Sequence, residues 1–142
     1  MKKGLLVLLS SLLLTTASIA NENSAKGLNV IITSEDAQTQ MMGMVLSMMT
    51  LKQNKEVNMT LCSKAGDLAV KGIESPILKP QDKSPKMMLQ ALMKQGAKVK
   101  VCPLYLPNVS KDESVLLEGI TVAKPDEVAS SLLNKDYQNL SY

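Results

Sequence analysis

Apolar and polar positions change period several times along the chain, and each change marks an element. Residues 28–33 (LNVIIT) form a short, nearly continuous β-rich run, as expected of a strand covered on both faces. Ser34 then offers a helix N-cap, and Glu35 and Asp36 suit the positive start of a helix. Ala37, Met41, Met44, Val45, Met48 and Leu51 follow at helical spacing, and Met42, Leu46 and Met49 widen the apolar face. This pattern predicts a largely buried helix. Gly43 inside it costs about 1 kcal/mol relative to alanine, which points to close packing at that position.

Residues 56–62 (EVNMTLC) alternate, with Val57, Met59 and Leu61 on one side and Asn58, Thr60 and Cys62 on the other. This is a second strand, with Cys62 at its end. A short helix is expected within 63–71. Residues 72–84 hold Pro76 and Pro80 and show no period, so they read as a surface loop, a candidate flap over the strand ends. Ser84-Pro85 is a helix start, Met88, Leu89, Leu92 and Met93 supply a buried face, and Gly96 ends it. Residues 97–101 then have strand character, Cys102 follows, and Pro103 stops the strand. A loop is expected at 103–110, a helix within 111–118 closed by Gly119, a short strand at 120–123, a last helix over 125–135 and a fifth strand at 137–142. Strands alternating with helices predict an α/β domain, a parallel sheet with helices on both faces.

The first twenty residues stand apart from this pattern. Lys2 and Lys3 precede an apolar run from Leu5 to Leu14, and Ala17-Ser18-Ile19-Ala20 places small residues where a signal peptidase cuts. The run is too short for a comfortable membrane span. The expectation is a cleaved signal at 1–20, a flexible leader at 21–27, and one domain over 28–142 in the periplasm, off the membrane. Cleavage leaves 122 residues and lowers the formal charge from +3 to +1. Near neutrality, with three tyrosines as the only aromatics, argues against nucleic acid as a partner.

Composition narrows the chemistry further. The chain has no histidine, and every cationic side chain is lysine. Catalysis built on imidazole, zinc sites that use imidazole and arginine forks for phosphate are therefore absent. No cofactor and no resident metal is expected. The strong nucleophiles that remain are Cys62 and Cys102, each at the end of a strand, where open α/β sheets place their sites.

Four stretches also carry a family resemblance: LNVIITS, TLCSKAGDLAVKG, MLQALMKQGAKVKVC and GITVAKPDEVASSLLNKDYQNLSY. Their order and spacing resemble the DsrE/DsrF-like family, which includes the TusD-like and YchN-like proteins. The resemblance implies a three-layer α/β/α fold with a five-stranded parallel sheet in the order 4-3-2-1-5. It implies homo-oligomers, often trimers or hexamers. It also implies a sulfurtransferase-type relay that carries persulfide sulfur on a cysteine closing a short strand, with protein donors or acceptor thiols as partners. KVKVC matches that pattern, so Cys102 falls on the reactive position. The chain departs from the family in the following loop, where Pro103-Leu104-Tyr105-Leu106-Pro107-Asn108 lacks the frequent Arg-Gly pair.

A thiol acts as a nucleophile only as thiolate, and free cysteine has a pKa of about 8.5. Lys98 and Lys100 share the strand parity of Cys102, and Lys111 follows in the loop, so these lysines are candidates for lowering it. The other reading of Cys102 is a small buried apolar residue. Cys62 is open to four readings: a structural disulfide with Cys102, an unpaired core thiol, one member of a redox pair, or one member of a pair made of a persulfide donor and its resolving thiol. Met41, Met42, Met44, Met48 and Met49 invite a Cu(I) site, although core filling explains helical spacing equally. Two functions follow: a sulfur carrier acting through Cys102, and a non-catalytic binding or scaffold domain for a soft metal or a partner, with a structural Cys62–Cys102 pair.

Overall fold

β-Branched and alternating segments form five strands: β1 (Gly27–Ile32), β2 (Glu56–Leu61), β3 (Lys98–Val101), β4 (Thr121–Val122) and β5 (Tyr137–Ser141). The computed structural model describes residues 24–142, so the expected signal at 1–20 and leader residues 21–23 lie outside them. All strand pairs are parallel, and the order is β4-β3-β2-β1-β5, as the resemblance implied. Helices α1 (Ala37–Lys52) and α2 (Pro85–Lys94) cover one face of the sheet, and α4 (Pro125–Leu132) lies on the other, which gives the three-layer α/β/α arrangement. The short α3 (Tyr105–Asn108) follows β3.

The alternation in β2 sorts the two faces as expected. Val57, Met59 and Leu61 are buried, with Val30, Ile32, Val99 and Val101 beside them, against Met44, Leu89 and Leu92 of the helices. Helix α2 begins where Ser84-Pro85 predicted, the Ser84 hydroxyl accepting from the Met87 amide at 3.1 Å. Gly96 and Gly119 both adopt positive φ, as helix- and turn-ending glycines do.

The structure corrects several boundaries. The N-cap of α1 is Asp36 rather than Ser34. Its carboxylate accepts from the Thr39 amide at 2.8 Å, while Ser34 takes the Asp36 amide one turn earlier. β1 starts at Gly27, because Lys26 is already tied down. Its amide donates to the Asp136 carbonyl at 2.7 Å and its ammonium pairs with the Asp136 carboxylate at 2.6 Å. A side chain at position 27 would put its Cβ 2.2 Å from the Glu56 carbonyl oxygen, so glycine is required there. The loop at 103–110 contains α3, the expected helix within 111–118 shrinks to one 3-10 turn at Glu113–Val115, and α4 stops at Leu132.

Helix α1 is not buried all round. Met41, Met44 and Met48 enter the core, whereas Met42, Leu46 and Met49 are exposed on its outer side. Gln40 and Ser47 take inner positions instead, bonded to the Ser34 and Gly43 carbonyls at 2.9 and 2.7 Å. Gly43 does permit close approach: a Cβ there would lie 2.9 Å from Ile32 Cδ1. Residues 78–81 of the proline-containing loop lie beside α1, sharing a groove with Met41, Met42 and Val45.

Candidate functional site

Cys62 is the residue after β2 and Cys102 the residue after β3, and both still belong to the hydrogen-bond ladder. The Cys62 amide donates to the Ile32 carbonyl and the Cys102 amide to the Leu61 carbonyl, each at 2.8 Å. Leu61 is the register partner of Val101, so the two cysteines stand opposite each other on neighbouring strands at the carboxyl edge. Parallel neighbours run about 4.8 Å apart, inside the roughly 4.4–6.8 Å Cα range that a disulfide spans. Both are free thiols and half-buried.

Burial, and then the neighbouring Cys102, push the Cys62 thiol up to about 12. Cys62 therefore remains protonated at neutral pH.

Two tight turns hold this geometry. After Cys62 the chain passes through Ser63 with φ of 51° and enters a 3-10 turn, Ser63–Ala69, with the Cys62 carbonyl accepting from Ala65 at 3.1 Å. After Cys102 the carbonyl accepts from the Tyr105 amide at 3.0 Å, which starts α3. The buried Tyr105 ring lies on Gly66, where an added Cβ would come within 2.3 Å of Cδ2. The Tyr105 hydroxyl donates to the Asp67 carboxylate, so the two turns are joined. Burial and this bond push the phenol well above its ordinary range. Asp67, Gly66 and Tyr105 were not singled out from sequence. The available signal was weak: Tyr105 is one of three aromatics and stands three residues past Cys102.

The lysines do not serve the thiols as expected. Strand parity carries Lys98 and Lys100 to the α4 face, where carboxylates meet them. Lys98 lies 3.6 Å from Glu56, and Lys100 lies 2.7 Å from Glu127, which also takes Lys124 at 3.1 Å. Lys100 and Lys124 hold the Glu127 carboxyl below its usual range. Lys111 is exposed.

A cavity of about 150 Å³ separates this face from α4, with Asn58, Thr60 and Lys100 in its wall; neither cysteine lines it. Behind it, the buried Asn29 donates to the Ser131 carbonyl at 2.7 Å and to Asn139 at 3.0 Å. It accepts from the Ser131 hydroxyl at 2.7 Å and from Asn58 at 3.1 Å.

The methionines are divided rather than gathered. Met41, Met44 and Met48 fill the core, while Met42 and Met49 face outward. Their helical spacing thus reflects packing on one side and an exposed row on the other, and the five do not converge on one point. Among the described residues, no group of three or more His, Cys, Asp or Glu side chains is placed to hold a metal ion.

No protein-family model matches this chain, and no curated protein matches it. Solved structures do. The ychN protein from E. coli superposes with a TM-score of 0.68 at 20% identity, over 83% of this chain and 99% of that one. The protein of unknown function MTH1491 from Methanobacterium thermoautotrophicum gives 0.61 at 13% identity, over 82% and 98%. The conserved protein of unknown function BT1422 from Bacteroides thetaiotaomicron gives 0.61 at 16% identity, over 82% and 95%. These likenesses are of fold. They agree with the fold implied by the DsrE/DsrF-like resemblance, which includes YchN-like proteins.

Proposed function

We propose that this chain is an exported sulfur carrier of the DsrE-like type, a sulfurtransferase that holds sulfane sulfur as a persulfide on Cys102. The observation that carries the reading is the Cys62–Cys102 thiol pair, set side by side at the carboxyl edge of a fold shared with the ychN protein. The Cys102 thiolate attacks the outer sulfur of a donor persulfide, and the donor leaves as its thiol. An acceptor thiolate then attacks the sulfur on Cys102 and restores the Cys102 thiolate, by chemistry of the thiol–disulfide exchange kind. The lysines of β3 are paired with Glu56 and Glu127, so Cys62 is the reactive side chain that stands beside Cys102.

The signal pattern at Lys2, Lys3, Leu5–Leu14 and Ala17–Ala20 supports cleavage after Ala20 and a periplasmic site of action. Residues 28–142 act as one domain, and donor and acceptor are protein thiols. The exposed row Met42, Leu46 and Met49 supports a homo-oligomer in which a second copy covers α1.

Intact-mass spectrometry tests the carrier. Reduced protein treated with a persulfide donor gains about 32 Da, one exchangeable sulfur. Cys62→Ser keeps the gain and Cys102→Ser loses it. Loading of Cys102→Ser at the wild-type level, or no loading of either thiol, removes the carrier reading and leaves the non-catalytic binding domain with a structural cysteine pair.

A further inference from the structure

We infer that hydrosulfide is a sulfur source for this site: it opens a Cys62–Cys102 disulfide and leaves its sulfur on Cys102. The inference deepens the sulfur-carrier reading and rests on it.

The argument begins with register. Cys62 and Cys102 follow register partners of β2 and β3, and their amides continue the ladder. Their backbones therefore stand at a separation a disulfide accepts without strand movement. The Tyr105–Asp67 bond joins the turns that leave the two cysteines.

A carrier built this way faces an intramolecular reaction. A Cys62 thiolate attacks the inner sulfur of a Cys102 persulfide, forms the disulfide and expels hydrosulfide. The reverse of that reaction is a loading step. Hydrosulfide attacks the Cys102 sulfur of the disulfide, the S–S bond breaks, and its electron pair leaves on Cys62, which takes a proton from water. A new S–S bond now joins Cys102 to the incoming sulfur. The oxidising equivalents come from the protein disulfide, so no further oxidant enters this step. The disulfide itself is made beforehand by a small-molecule or protein disulfide, which is reduced to its thiols; such oxidants belong to oxidising compartments.

A raised thiol pKa slows Cys62 as a leaving group but protects the loaded state once it has formed. Burial holds its thiol protonated once it has left, and a protonated thiol does not attack. Both cysteines are half-buried rather than sealed, which leaves an approach for a nucleophile as small as hydrosulfide. The bridged pair is then the form ready to load, not a locked end product.

The experiment oxidises the mature chain with diamide, removes the reagent, adds one equivalent of sodium sulfide, alkylates, and reads intact mass and peptide position. Oxidised wild type gains one sulfur, on Cys102, and exposes one alkylatable thiol, Cys62. Reduced wild type gains nothing from sulfide. Cys62→Ser, which has no bridge to open, gains nothing from sulfide yet still loads from a persulfide donor. The inference is overturned if diamide forms no Cys62–Cys102 bridge, or if sulfide leaves the bridged protein unchanged while the reduced protein still loads from the persulfide donor. In those cases the carrier reading stands. Failure of the reduced protein to load from the persulfide donor strikes the carrier reading instead.

Discussion

The Tyr105 hydroxyl donates to the Asp67 carboxylate and so ties the turn after Cys62 to the helix after Cys102. Neither turn is long enough to hold its own shape: one is a 3-10 segment and the other a four-residue helix. Tyr105→Phe keeps the ring on Gly66 and removes only the bond. It lowers stability by about 1–2 kcal/mol in denaturant unfolding, and it slows diamide-driven bridging of the cysteines. Wild-type stability together with a wild-type bridging rate would show that the bond holds neither turn.

Asn29 sits in β1, between β2 and β5, with both amide hydrogens donated and its oxygen accepting twice. Helix α4 has no fully buried residue, so the two bonds between Asn29 and Ser131 tie it to the sheet together with the Lys100–Glu127 pair and the Asn139–Leu132 bond. Asn29→Asp replaces the donor with an acceptor oxygen that faces both the Ser131 carbonyl and the Asn139 side-chain oxygen. It costs about 3 kcal/mol at neutral pH, more than Asn29→Ala. The gap between the two variants narrows in acid, where the new carboxyl regains a proton. Equal unfolding midpoints at neutral pH would count against the network as an anchor.

Much of the fold was legible because its signals are local. The alternation of Val57, Met59 and Leu61, the Ser84-Pro85 start of α2 and Gly96 at its end each act within a few residues, and each element formed there. Both cysteines were legible as strand ends for the same reason. What failed depends on what faces each residue across space. Apolar residues ring α1, so its pattern could not say that Met42, Leu46 and Met49 face out while Gln40 and Ser47 face in. Lys98 and Lys100 share strand parity with Cys102, but parity says nothing of Glu56 and Glu127, distant in sequence, which pair with them. Asp67 and Tyr105 are 38 residues apart, and no spacing rule joins them.

The outer row of α1 leads to a prediction about assembly. Met42, Leu46 and Met49 lie one turn apart, with Glu35 before the helix and Lys52 at its end. Two copies packed antiparallel along this row bring apolar side chains together and set Glu35 of one near Lys52 of the other. Light scattering should find an oligomer for the wild type at micromolar concentration. Leu46→Glu should shift it to monomer without loss of helical circular dichroism. A wild-type monomer, or an oligomer indifferent to the substitution, rules out this face.

Cys62 supplies the last prediction, in its response to pH. Its thiol, raised to about 12 by burial and by the neighbouring Cys102, binds its proton more tightly in the folded chain than in the unfolded one. The contribution to stability is therefore complete below the unfolded value of about 8.5 and is lost as pH climbs from there toward about 12. Cys62→Ala should flatten the fall in stability over that window. Alkylation reports the same group directly. In reduced protein, labelling of Cys62 by iodoacetamide should keep rising about tenfold per pH unit from about pH 8 to about pH 10.5. An ordinary thiol levels off near its pKa of about 8.5. Peptide mapping of brief labelling pulses separates Cys62 from Cys102, and a Cys62 rate that levels off near pH 9 would mean that its burial beside Cys102 does not hold the proton.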